Sequence, residues 1–111
     1  MPDIRNVRQE LARLNPHERD FAEIFRSPSG SLSLTVLRRP AGWPDDQQPH
    51  TEDEVYYVIA GRGAIMIADE RLEIEPGSVV FVATGDEHHF VDVTEDLEVL
   101  VFWSPARHTN G

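Results

Sequence analysis

Four side chains able to bind a metal stand in two clusters, Gln48, His50 and Glu54 in the first and His88 in the second. Two imidazoles and one carboxylate are what a divalent transition metal takes when a protein must leave coordination positions open for substrate or oxygen. Gln48 adds a neutral amide oxygen, a weaker donor than imidazole. It could act as a fourth, labile ligand, or hold back and hydrogen-bond a water or substrate on the metal. Taken singly, His50 reads as a surface-loop histidine and Glu54 as a solvated charge at a strand end. Together they read as a buried cluster that needs a cation to offset its desolvation. A chain that has lost one ligand could also have lost its metal, and that alternative stays open.

The spacing carries a resemblance. Gly42, five residues, Gln48, Pro49, His50, three residues, Glu54, six residues and Gly61 follow the first motif of the cupin superfamily, with Gln48 in place of its first histidine. Gly77, Ala83, Gly85, His88 and Asp92 follow the second, with Ala83 in place of proline and Asp92 in place of asparagine. The chain resembles a small single-domain cupin. The resemblance implies an all-β fold, a single double-stranded β-helix or jelly-roll barrel, here preceded by a short helix. It also implies a metal centre of Gln48, His50, Glu54 and His88. Strand alternation would turn Glu52 inward with His50 and Glu54, so periodicity leaves both carboxylates open; the family spacing selects Glu54.

Three functions fit such a site. In an oxygenase, iron, manganese or copper, one per chain, holds a small chelating organic substrate and brings oxygen to the same ion. In a non-redox isomerase, epimerase or lyase of a hydroxy or keto acid, zinc or nickel polarises a carbonyl while Glu54 or Tyr56 moves a proton. In the third, the pocket binds a small molecule and no reaction follows. The two-histidine, one-carboxylate set leans toward the oxygenase, with Glu54 and Tyr56 as catalytic candidates. Tyr56 as barrel packing is the plainer alternative.

The elements that must position these residues read mostly as strands. Ile4, Val7, Leu11 and Leu14 recur at helical spacing, with Asp3 as a possible N-cap and Asn15-Pro16 ending the run. Leu32, Leu34 and Val36 then alternate with Ser31, Ser33 and Thr35, which predicts a strand with one buried face. Further strands are expected over 55–60, 62–68, 71–75, 79–82, 88–93 and 97–103, with turns at Gly61-Arg62-Gly63, Asp69-Glu70, Pro76-Gly77 and Thr84-Gly85-Asp86. Many short strands with regular turns argue for an antiparallel barrel. The division expected is a lead-in over 1–27, a barrel over 28–106 and a tail over 107–111, one domain overall. Inside the barrel, His88, Phe90 and Asp92 share one face with His89 outward. Tyr56 and Val58 follow Glu54, and Phe81 or Met66 is a further candidate wall. Trp43 and Pro44 are placed at the pocket rim.

Composition narrows the partners. Ten Lys and Arg against twenty Asp and Glu give a net charge of -10, which repels phosphate backbones and anionic membranes. No apolar run reaches membrane-spanning length and Met1 to Leu14 lacks a secretory pattern, so a cytoplasmic protein is expected. The absence of cysteine removes disulfides and thiolate chemistry. The strand from Leu97 to Trp103 is apolar on both faces apart from Glu98. One face fills the barrel and the other calls for the N-terminal segment or a second subunit. A homodimer in which Phe21 and Phe25 cross to the partner is the expectation.

Overall fold

The computed structural model describes residues 4–15, 18–42 and 51–107. Asp3, His17, Trp43, Pro44, Gln48, His50 and His108 therefore lie outside the described residues. In chain order the elements are helix α1 (Val7–Ala12) and strands β1 (Phe21–Arg26), β2 (Ser33–Arg39), β3 (Asp53–Ile67), β4 (Glu70–Ile74), β5 (Val79–Val82) and β6 (His88–Ser104). All pairings are antiparallel, in the order β1-β2-β6-β3-β4, with β5 also paired to β3. The all-β architecture with a short N-terminal helix agrees with the sequence. No helix among the described residues is long and apolar enough to cross a membrane.

Two long strands replace the four short ones expected. β3 runs through Gly61-Arg62-Gly63 without a turn, and β6 joins the segments 88–93 and 97–103. The glycines mark a bend: the β3–β6 register shifts between Val58 and Ala60, between Ala60 and Arg62, and between Arg62 and Ala64. Such bulges sharpen twist and fold a strand over on itself. Gly61 has φ 97, and a Cβ there would lie 2.3 Å from the Asp96 carbonyl oxygen. Only glycine fits that approach. The bend gives β3 two sets of neighbours. Its first part pairs with β5 and the end of β6, and its last part pairs with β4 and the start of β6.

The inner faces of these strands make the core. Leu37, Tyr56, Val58, Ile65, Ile74, Val82, Phe90, Leu97, Val99, Val101 and Trp103 form one buried cluster. A second cluster, Leu11, Ile24 and Val36, lies where α1 covers the outer face of β2, with Val7, Leu14 and Leu100 packed against it. Helix α1 starts later than its apolar periodicity implied. Asn6 is the cap, its Oδ1 accepting from the Gln9 amide at 3.0 Å, and Ile4 is exposed.

β2 departs from the one-sided pattern. Ser33 and Thr35 are as buried as Val36, while Leu32 is partly exposed. The polar side chains are used: Trp103 Nε1 donates to Thr35 Oγ1 at 3.0 Å, and the Arg107 amide donates to Ser33 Oγ at 2.9 Å. Hydrogen bonding lets hydroxyls face the core, and the helix buries the other side. β1 was not among the expected strands, because a bulge between Glu23 and Phe25 breaks its alternation. Phe21 of this strand packs on the barrel core of its own chain, which takes up a ring expected to cross to a partner.

Candidate metal centre

The cross-strand register lays out the inner wall row by row. Glu54 on β3 stands between Val82 of β5 and Trp103 of β6, and Tyr56 stands between Val80 and Val101. His88 opens β6 beside Ile67, at the far end of β3 from Glu54. The bend at Gly61 brings these two ends face to face. Glu54 Oε2 and His88 Nε2 are 3.1 Å apart, both side chains 1% exposed.

Each partner is fixed from behind. His88 Nδ1 is 2.9 Å from the Asp86 carbonyl oxygen, and a carbonyl can only accept, so Nδ1 carries the proton. In the neutral ring Nε2 is then a lone pair directed to the site. Across from it, Tyr56 Oη donates to Glu54 Oε1 at 3.2 Å, while Oε2 has no hydrogen bond among the described residues. A carboxylate oxygen and an imidazole lone pair, both acceptors, thus meet in a buried space. The contact lacks hydrogen-bond geometry, so a proton on Nε2 would not join them well. A cation between the two would bind both, and this donor pair suits a divalent transition metal. Oriented carbonyl acceptors behind a histidine are the usual second layer of a metal site.

The turn before β6 is itself clamped. Asp53 Oδ1 accepts from the Thr84 amide at 2.9 Å and from Thr84 Oγ1 at 2.7 Å. These hydrogen bonds hold the Asp53 carboxyl below the usual carboxylate range. The clamp ties the start of the Glu54 strand to the turn that carries Asp86 and His88.

Of the sequence candidates, Glu54, Tyr56 and His88 come together; Gln48 and His50 lie outside the described residues. Among the described residues no third His, Asp or Glu completes a metal-holding group, and Glu52, though buried, accepts from Thr51 Oγ1 at 3.0 Å. Val58 and Phe90 face inward as expected, and Tyr56 stacks obliquely on Phe90 at 5.6 Å. Three wall assignments are corrected. Asp92 has φ 51 at the bend and points to solvent, where it pairs with Arg71 at 3.0 Å. Phe81 is 60% exposed, because Val80 and Val82 take the inner positions of β5. Met66 pairs with His89 on the outer face, and Ile65 and Ile67 are the inner residues. Sequence reasoning also missed Trp103 as a neighbour of Glu54. Its place in the alternation with Val99 and Val101 was the available signal.

The cupin domain model matches residues 34–104. The chain belongs to the cupin family. An uncharacterized protein of Streptomyces coelicolor is 42% identical over 85 residues, 77% of this chain and 79% of that protein. An acireductone dioxygenase of Exiguobacterium sibiricum is 32% identical over 56 residues, 46% of this cupin and 31% of the dioxygenase, so the likeness spans under a third of that enzyme. Among solved structures, the DMSP lyase DddQ of Ruegeria pomeroyi superposes with TM-score 0.68 at 24% identity, covering 83% of this chain and 51% of the lyase. That likeness is one of fold. Cupins commonly bind a metal, which agrees with the donor pair described above.

Proposed function

We propose that this cupin is a metal-dependent enzyme of oxygenase type acting on a small chelating organic substrate. The observation that carries the reading is the buried Glu54–His88 pair, a carboxylate and an imidazole 3.1 Å apart and both 1% exposed, the donor types a divalent transition metal takes. His50 and Gln48, at the family spacing, would supply the remaining protein donors. A bound iron, manganese or copper ion would supply the electron transfer between substrate and oxygen. The chain's own part is to orient and to exclude water. Asp86 fixes the His88 tautomer, Tyr56 holds one Glu54 oxygen, and Phe90, Val82 and Trp103 keep the wall dry. The likeness to a dioxygenase supports the oxygenase lean.

A second reading, a non-redox isomerase, epimerase or lyase using zinc or nickel, is favoured by one observation. The Tyr56 hydroxyl already shares a hydrogen bond with Glu54, so a phenol and a carboxylate are placed for proton transfer.

The deciding experiment is elemental analysis of untagged protein purified without chelator, with a His50→Ala, His88→Ala double variant as the blank. Iron, manganese or copper near one per chain, absent from the blank, together with oxygen uptake on vicinal hydroxyketones or keto acids, supports the oxygenase. Zinc or nickel without oxygen uptake transfers the assignment to the non-redox enzyme. Absence of metal from both samples sinks the enzyme and leaves a small-molecule-binding cupin.

We also infer a homodimer. On the outer face, α1 covers only the β2 side, and Tyr57, Val79, Phe81 and Phe102 remain exposed on adjoining strands. A second copy presenting the same surface would cover them.

A further inference from the structure

Arg107 is a half-buried arginine that has no acidic partner among the described residues, in a chain of net charge -10. Arg13, Arg26, Arg38, Arg39, Arg62 and Arg71 each pair with a carboxylate. Among the described residues, neither Arg107 nor Arg19 does. Both lie instead on one aromatic ring: the Arg107 guanidinium carbon is 4.8 Å and that of Arg19 5.6 Å from the centre of Phe21. Arg107 also lies 5.4 Å from the centre of the Trp103 ring. Two guanidiniums near one ring repel each other, and an anion between them would offset that repulsion.

The position of Arg107 is set by its backbone. Its amide donates to Ser33 Oγ, its carbonyl accepts from Arg26 Nη2, and the neighbouring Ala106 amide donates to the Gly30 carbonyl. Ring contact then fixes the guanidinium while leaving its N–H groups without a carboxylate to bind. Trp103 connects this group to the metal-centre candidates, since its backbone neighbour across the sheet is Glu54. Adjacent strands are about 4.8 Å apart, so the Trp103 backbone stands one strand from Glu54, while its indole donates to Thr35 on β2 and lies beside Arg107.

We propose that Arg107, with Arg19, forms a carboxylate-binding subsite on the Phe21–Trp103 wall, and that the substrate is an organic acid whose carboxylate lies there. The link to substrate rests on the reading of Glu54 and His88 as the reactive centre; the anion subsite itself does not. A bidentate guanidinium–carboxylate pair fits a planar, oriented anion better than a point charge would.

The test is run on metal-free protein carrying Trp43→Phe, so that Trp103 is the one indole reporter. Glutarate, its neutral diamide and inorganic phosphate are titrated by fluorescence at constant ionic strength. Saturable change with glutarate and none with the diamide is expected. Arg107→Gln is expected to weaken glutarate binding by roughly tenfold or more, from the loss of charge-assisted hydrogen bonds. Arg107→Lys is expected to recover only part of it. Arg19→Gln, at an exposed position that leaves the core untouched, is the second variant and is expected to weaken binding several-fold. Glutarate binding equal to the parent in both glutamine variants overturns the proposal, as does binding of phosphate without glutarate. Because no metal is present, a failed metal-centre reading leaves this titration unchanged, and a failed titration leaves the elemental analysis unchanged.

Discussion

Glu54 and His88 bring a carboxylate and an imidazole to within 3.1 Å of each other in a buried space, with Glu54 Oε2 accepting no hydrogen bond among the described residues. A buried carboxylate oxygen without a hydrogen bond carries a desolvation cost that a cation beside it would offset. Glu54→Gln is expected to raise the stability of the metal-free protein by up to about 1 kcal/mol, since a neutral amide costs less to bury than a carboxylate, while abolishing metal uptake. Urea denaturation with and without added manganese checks both halves. Equal stability of variant and parent without metal would show that the Glu54 charge costs nothing in the metal-free fold. At this scale the sequence was informative about types and poor about orientation. Motif spacing named Glu54 and His88, and period-two alternation turned Tyr56 and Phe90 inward. Nothing in the order of residues told that Asp86 would hold the ring by its carbonyl, or that Asp92 would turn outward at a positive φ to meet Arg71.

At the level of elements, the turn that precedes β6 decides where His88 sits, and Asp53 holds that turn through Thr84. The sign of the pH dependence follows from the lowered Asp53 pKa. The clamp contributes its full stability above the ordinary carboxylate pKa and loses it as pH falls through the lower folded value. Asp53→Asn is expected to reduce stability near neutrality, with the difference from the parent closing in strong acid. Urea midpoints measured across that range test it, and a difference independent of pH would remove the clamp. Short strands were legible from their β-branched runs. Their continuity was not, because Gly61 and Gly63 look like a turn in sequence and act as a bend in the fold. β1 escaped notice for a related reason, a bulge that hides its alternation.

On the scale of the molecule, an apolar surface stays open among the described residues. Val79 and Phe81 are 68% and 60% exposed on β5, beside Tyr57 on β3, with Phe102 beyond it on β6. Light or X-ray scattering at micromolar concentration is expected to give about twice the chain mass of 12.6 kDa. Phe81→Asp is expected to return the monomer, because a charge at the centre of an apolar contact is left desolvated. A parent that scatters as a monomer would reject the dimer. The sequence did foresee that the last strand has two apolar faces, and α1 accounts for part of the second. What it could not convey is how far a helix of six residues reaches across the sheet.

The bend in β3 and β6 carries a last consequence. Glu54 lies at one end of this folded-over ribbon and His88 at the other, so an ion held by both would act as a cross-link closing the chain between them. Loop closure removes entropy from the unfolded chain, which makes loading and folding parts of one equilibrium. The centre would then serve as the latch of the barrel as well as its reactive site, and a cell short of the ion would hold less of the folded protein, not merely less of its activity.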